Sequence, residues 1–136
     1  MDQLSVGQSS SFGKTITEAD ILLFGGVSGD MNPVHFNEPY AAGTMFKKRI
    51  AHGMLSASLI STVLGMQMPG PGTIFLKLEI KFVAPVYLGD TVTATCTVAE
   101  KFEDKNRVRL ECVVTNQEGK QVIVGEALGM PPKKAD

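Results

Sequence analysis

Three stretches in the second half of the chain alternate apolar and polar residues with a period of two. Ile74, Leu76, Leu78, Ile80 and Phe82 alternate with Thr73, Phe75, Lys77, Glu79 and Lys81. Val92, Ala94, Cys96 and Val98 alternate with four threonines, and Val108, Leu110, Cys112 and Val114 with Arg107, Arg109, Glu111 and Thr115. This period predicts half-buried strands and puts both cysteines on inward faces, where packing is the ordinary role of the thiol and nucleophile or ligand the rarer one. A turn at Asn116-Gln117-Glu118-Gly119 leads into a last strand near Gln121 to Leu128, where consecutive Val122, Ile123 and Val124 predict cover on both faces. A first strand is expected near Ser9 to Thr15.

Helical signals lie between the first strand and the others. Thr17 reads as an N-cap followed by Glu18 and Asp20 in the first turn, with Ile21, Leu22, Phe24 and Val27 as the apolar face. From about His52 to Met68 the apolar residues fall on all sides, so something must wrap that helix. From Gly25 to Phe46 the glycines, Pro33 and Pro39 predict loop, with one short helical turn near Pro39 to Gly43. The layout is α+β: an antiparallel sheet with a charge-free helix across it, and a symmetric dimer formed by sheet-edge pairing to cover the rest.

Composition narrows the function. The 136 residues are one domain's worth, residues 1–136, with 43% hydrophobic content and Lys plus Arg at 13 against Asp plus Glu at 14. A net charge of −1 provides no global field to hold nucleic acid or an anionic membrane. Two cysteines in a chain of this length indicate no disulfide framework and fit a reducing, cytoplasmic setting. No signal sequence is visible at the N-terminus. The uncharged stretch Ile50 to Leu76 is diluted by serines and broken by Pro69-Gly70-Pro71-Gly72, so it reads as a helix buried in protein, not a membrane span. Pro131 to Asp136 reads as a frayed tail.

The densest polar group is Ser28-Gly29-Asp30-Met31-Asn32-Pro33-Val34-His35. Pro33 forbids a regular helix between Asp30 and His35, so the chain can curl and aim a carboxylate and an imidazole at one point, an acid/base pair near neutral pH. The alternative is an Asx-turn capped by Asp30 or Asn32 with His35 exposed. His52-Gly53 is a second candidate: free N–H groups at a helix N-terminus can receive a thioester or carboxyl oxygen, and glycine allows close approach. Alternatively, His52 caps the helix and Gly53 relieves crowding. Ser61 reads as a core hydroxyl or a site group. Lys47-Lys48-Arg49 could meet phosphates or form a solvated loop edge. Phosphate-loop, zinc-protease and serine-elbow motifs are absent, and two histidines with two separated inward cysteines make a poor metal site.

Val27-Ser28-Gly29-Asp30-Met31-Asn32-Pro33-Val34-His35 closely resembles the hydratase signature of the MaoC-like, R-specific enoyl-CoA hydratases. The likeness continues through Ile50-Ala51-His52-Gly53-Met54-Leu55, the Ser-containing helix, Phe82 to Pro85 and Gly89-Asp90, and is strongest to the short, single-domain hydratases that serve polyhydroxyalkanoate synthesis. It implies the hot-dog fold, a long helix wrapped by an antiparallel sheet, and reversible syn addition of water to trans-2-enoyl-CoA giving (R)-3-hydroxyacyl-CoA. Under the resemblance Asp30 is the base, and His35 holds the same water and assists proton delivery, unless one residue shuttles both protons. Asn32 fixes the loop, the Gly53 amide beside His52 receives the thioester oxygen, and Ser61 matches a family serine near the site. It further implies a homodimer with the acyl-CoA lying partly between subunits, and no cofactor beyond the coenzyme A of the substrate. A dehydratase acting on acyl carrier protein and a non-catalytic acyl-CoA-binding module are the competing readings, and thioesterases share the fold.

Overall fold

In the computed structural model, which describes residues 1–133, the elements run β1 (Ser9–Thr15), α1 (Glu18–Ser28), α2 (Pro33–Phe36), α3 (Glu38–Ala42), α4 (Gly53–Thr62), β2 (Ile74–Phe82), β3 (Thr91–Phe102), β4 (Arg107–Thr115) and β5 (Gln121–Met130). A π-helical turn, Val63–Gln67, extends α4, closed by Met68 N–H to the Val63 carbonyl at 2.8 Å. Together they occupy the stretch in which the sequence predicts one continuous helix. The five strands form one antiparallel sheet in the order β1-β3-β4-β5-β2. The sheet curls about α4, the α+β arrangement expected of a hot-dog fold.

The period-two reading holds for β3 and β4. Val92, Ala94, Cys96 and Val98 pack beside Val108, Leu110, Cys112 and Val114, all buried, against Leu59, Ile60, Val63 and Leu64 of the central helix. Each fully buried Val or Leu contributes about 1.5–3 kcal/mol by leaving water, so this layer dominates the stability of the fold. In β5, Ile123 pairs with Val114 while Gln121 pairs with Thr115, so Val122 is an extra residue at a register shift. That shift explains why Val122 and Ile123 are both buried.

Two apolar faces differ from expectation. In β2 a register shift between Phe75 and Lys77 makes Leu76 the bulged residue and changes the phase of the strand. Phe75, Leu78 and Ile80 therefore pack on the core, whereas Ile74, Leu76 and Phe82 are exposed. In α1 the Thr17 cap and its reciprocal Asp20 partner form as expected. The buried stripe, however, is Ile21 and Gly25, and Leu22, Leu23 and Val27 face outward, Val27 at 87% exposure. A side chain at Gly25 would run into Phe36 and Met31, so the helix is seated on its glycine and its bulkier residues point away.

The C-terminal tail is partly structured. Pro131 is buried and its carbonyl accepts a hydrogen bond from Asn106 Nδ2 at 2.9 Å, while Lys134, Ala135 and Asp136 lie outside the described residues. Among the described residues no helix is long and apolar enough to cross a membrane.

Candidate active site

Helix α1 stops at Gly29, whose φ of 78° is left-handed backbone that glycine adopts without strain, with its N–H bonded to the Gly25 carbonyl. Two Asx turns follow. Asp30 Oδ1 accepts from the Asn32 N–H, and Asn32 Oδ1 accepts from the Val34 N–H, both at 3.2 Å. Pro33 does not keep the segment irregular, as the sequence reading has it, but occupies the first turn of α2, where its missing N–H costs nothing. The Asx-turn alternative is therefore right about the turns and wrong about exposure, because α2 carries His35 inward, to 7% exposure.

His35 is held at both ends. Its Nδ1 lies 2.8 Å from the Ile50 carbonyl, and its own carbonyl accepts from Arg49 Nε at 2.7 Å. Arg49 also pairs with Glu18 at 2.8 Å, tying α2 to the start of α1. Of the basic run, Arg49 is thus a partly buried brace, and Lys48 sits over the Tyr87 ring at 4.6 Å. A carbonyl can only accept, so Nδ1 of His35 carries the proton and Nε2 of the neutral ring is a bare acceptor. Burial lowers the His35 pKa, His52 lowers it further, and the Ile50 carbonyl and Asp30 act the other way without cancelling the shift.

His52 immediately precedes α4 but makes no side-chain cap hydrogen bond. Instead its buried ring lies under the catalytic candidates, with Nε2 2.9 Å from the Asp30 carbonyl and its centroid 4.0 Å from that of His35 at a 30° tilt. Phe24 and Phe36 close around it at 4.8 and 5.6 Å. Gly53 is the first residue of α4, where the N–H has no intrahelical partner. A Cβ there would come within 2.6 Å of the Phe82 ring, so glycine is required by packing as well as by any approaching ligand.

Asp30, His35, His52 and Gly53 line one cavity of about 510 Å³ whose remaining wall is mostly apolar, including Met45, Phe46, Phe82, Val86 and Ile123. A larger depression of about 770 Å³ lies on the opposite, outer face of the sheet but contains no histidine. An apolar cavity with a few convergent polar groups is the better ligand site. Asn32 does not line this cavity and acts as the N-cap of α2. Ser61 is exposed on α4 and also outside the lining. Ser56 is the serine of α4 that is fully buried in the cavity wall, and it is marked in the sequence only by its spacing of four from His52.

One donor atom each from Asp30, His35 and His52 lies within 4.8 Å of the others, a closer grouping than the count of two histidines suggests for a metal site. The two rings lie face to face, centroids 4.0 Å apart with a 30° tilt, and the Nδ1 of His35 and the Nε2 of His52 are already taken by backbone carbonyls. The group suits a small hydrogen-bonded molecule better: a water accepted by both the Asp30 carboxylate and His35 Nε2, beside a helix N-terminus that can polarise a carbonyl.

Residues 3–126 match the family model described as the MaoC like domain. The chain is 53% identical to the (R)-specific enoyl-CoA hydratase of Rhodospirillum rubrum, covering 98% of this chain and 92% of that protein. Among solved structures it resembles the unliganded R-hydratase PhaJ1 from Pseudomonas aeruginosa, with a TM-score of 0.92, 50% identity, and coverage of 98% and 85%. It also resembles the (R)-hydratase of A. caviae involved in PHA biosynthesis, with a TM-score of 0.94, 39% identity, and coverage of 97% and 100%.

Proposed function

This chain belongs to the MaoC-like domain family, and from that premise we propose that it is an (R)-specific enoyl-CoA hydratase, a hydro-lyase adding water reversibly to trans-2-enoyl-CoA. The observation that carries the reading is the pairing of Asp30 with an inward His35 whose proton is pinned to the Ile50 carbonyl, in one cavity with the Gly53 N–H. Asp30 accepts one proton from the water while His35 Nε2 holds the same water by accepting its other hydrogen. The C3–O bond forms, the alkene electrons move toward the thioester, and its oxygen gains negative charge that the Gly53 amide and the α4 N-terminus stabilise. The Asp30 carboxylic acid then returns its proton to C2 on the same face, giving syn addition and restoring the carboxylate. Asn32 supports this by starting α2, which carries His35.

Addition of water needs no redox partner, so no cofactor is assigned beyond the coenzyme A carried by the substrate. The reading includes a homodimer: β2 is an edge strand with one unpaired side, and Leu22, Leu23 and Val27 leave an apolar surface on α1. It also includes a cytoplasmic setting, in keeping with two unpaired, buried cysteines. Paired assays with crotonyl-CoA and the same acyl group on acyl carrier protein test the substrate class. Faster turnover of the CoA thioester is expected, and turnover of the carrier-protein substrate alone would replace this reading with the carrier-protein dehydratase.

A further inference from the structure

Among the described residues two buried side-chain polar atoms have no hydrogen-bond partner, and both belong to the wall of the same cavity: His52 Nδ1 and Ser56 Oγ. A buried polar atom left unpaired is costly, so two on one wall call for an explanation. Their chemistry is complementary. His52 Nε2 faces the Asp30 carbonyl and must donate, which leaves Nδ1 of the neutral ring as an acceptor. Ser56 lies four residues on, one turn up the same face of α4, and its hydroxyl is the donor that Nδ1 lacks.

We propose that His52 is a positioning residue that holds the Asp30 backbone and the His35 ring in register, and that the Ser56 hydroxyl, unpaired where it stands, turns to donate to Nδ1 and lock the ring. Two of its contacts are in place: Nε2 faces the carbonyl of the residue carrying the proposed base at 2.9 Å, and the ring face supports His35 at 4.0 Å. The third forms when the Ser56 hydroxyl turns to donate to Nδ1, which commits the ring to its Nε2–H form. One buried imidazole thus sets the relation between two groups that must hold one water, and small misplacements of such groups are costly to turnover. This role rests on the hydratase reading for its kinetic consequence, but not for its geometry.

The chain has two histidines, so ¹⁵N-imidazole spectra of the intact protein contain two rings. His52 is expected in the Nε2–H form, with its Nδ1 resonance displaced by an accepted hydrogen bond, and Ser56→Ala should move that resonance toward the position of a free ring nitrogen. With crotonyl-CoA, His52→Phe, which keeps a flat ring and removes both nitrogens, should lower kcat on the order of tenfold or more while KM changes about twofold or less. Ser56→Ala should lower kcat in the same selective way by a smaller factor. A proton on Nδ1 of His52 in the unaltered protein would overturn the proposal, as would a Ser56→Ala variant with unchanged resonance and kcat. If His52→Phe fails to fold, the spectra and the Ser56 variant still decide. An unaltered protein without hydratase activity would sink the proposed reaction, leaving the spectra to judge the positioning.

Discussion

His35 Nδ1 and the Ile50 carbonyl are 2.8 Å apart, and this bond decides which nitrogen of the ring faces the cavity. In the proposed mechanism Nε2 must be unprotonated to accept from water, and because burial first and His52 second lower the His35 pKa, the ring stays neutral below the ordinary histidine value of about 6.5. The acid limb of the kcat/KM profile should therefore fall below that value. The same shift makes a stability prediction with a definite sign. The unfolded chain takes up a proton at a higher pH than the folded one, so the contribution of neutral His35 is complete above about pH 6.5 and is lost as pH falls through the lower folded value. Urea titrations at neutral and acidic pH should register this loss, reduced in His35→Gln; equal dependence in both proteins would contradict it.

Arg49 is expected to behave as part of the site although it does not line the cavity. Its fork joins the His35 carbonyl to Glu18, and lysine cannot make both contacts with the same geometry. Arg49→Lys should destabilise the fold by up to about 1.5–3 kcal/mol, the range for a hydrogen bond to a charged group, and lower kcat as α2 loosens. Denaturant midpoints and kinetics on one preparation check both effects, and a variant with unaltered stability and turnover would remove Arg49 from the account.

Gly53→Ala places a methyl 2.6 Å from the Phe82 ring in the cavity wall. The ring must swing away, disturbing the pocket beside the amide proposed to receive the thioester oxygen. A fall in kcat/KM on the order of tenfold is expected. Adding Phe82→Leu should recover part of it by making room for the methyl. If the double variant is no better than the single one, the amide itself and not the ring is what the methyl obstructs.

Cys96 and Cys112 face each other across β3 and β4 in one register position, both buried and unpaired. The hydrogen bond with Cys96 and burial push the Cys112 thiol far above its usual range, so it is protonated and unreactive in the folded protein. Thiol-specific reagents should label it only at the rate of unfolding. Rapid modification of native protein would mean that this sheet layer opens more readily than its packing implies.

Much of this architecture is legible in the sequence because β3 and β4 repeat one rule without interruption, and each inward residue has a partner in the layer above. The rule fails where pairing overrides it. Leu76 cannot be known as a bulge until β2 is laid against β5, and its position decides that Phe75, not Ile74, faces the core. Likewise the outward turn of Leu22, Leu23 and Val27 follows from Gly25 seating on Phe36, a contact between segments that no period in α1 reveals. At the site, Asp30, His35 and Gly53 are visible through the motif that holds them. Ser56 and Arg49 are not, because their roles depend on partners far apart in the chain or on a ring whose orientation is set by tertiary packing. Ser61 shares the helix with Ser56 but lies on its outward face.

The proposed base of an R-specific hydration is Asp30. Purified protein and its Asp30→Asn variant should be mixed with crotonyl-CoA, the loss of enoyl thioester absorbance followed, and the product identified with an R-specific 3-hydroxyacyl-CoA dehydrogenase. Turnover to the R product is expected from the unaltered protein, with a loss of about 10²–10⁴-fold in a variant that remains folded. Near-normal turnover by Asp30→Asn, or formation of the S product, would contradict this assignment.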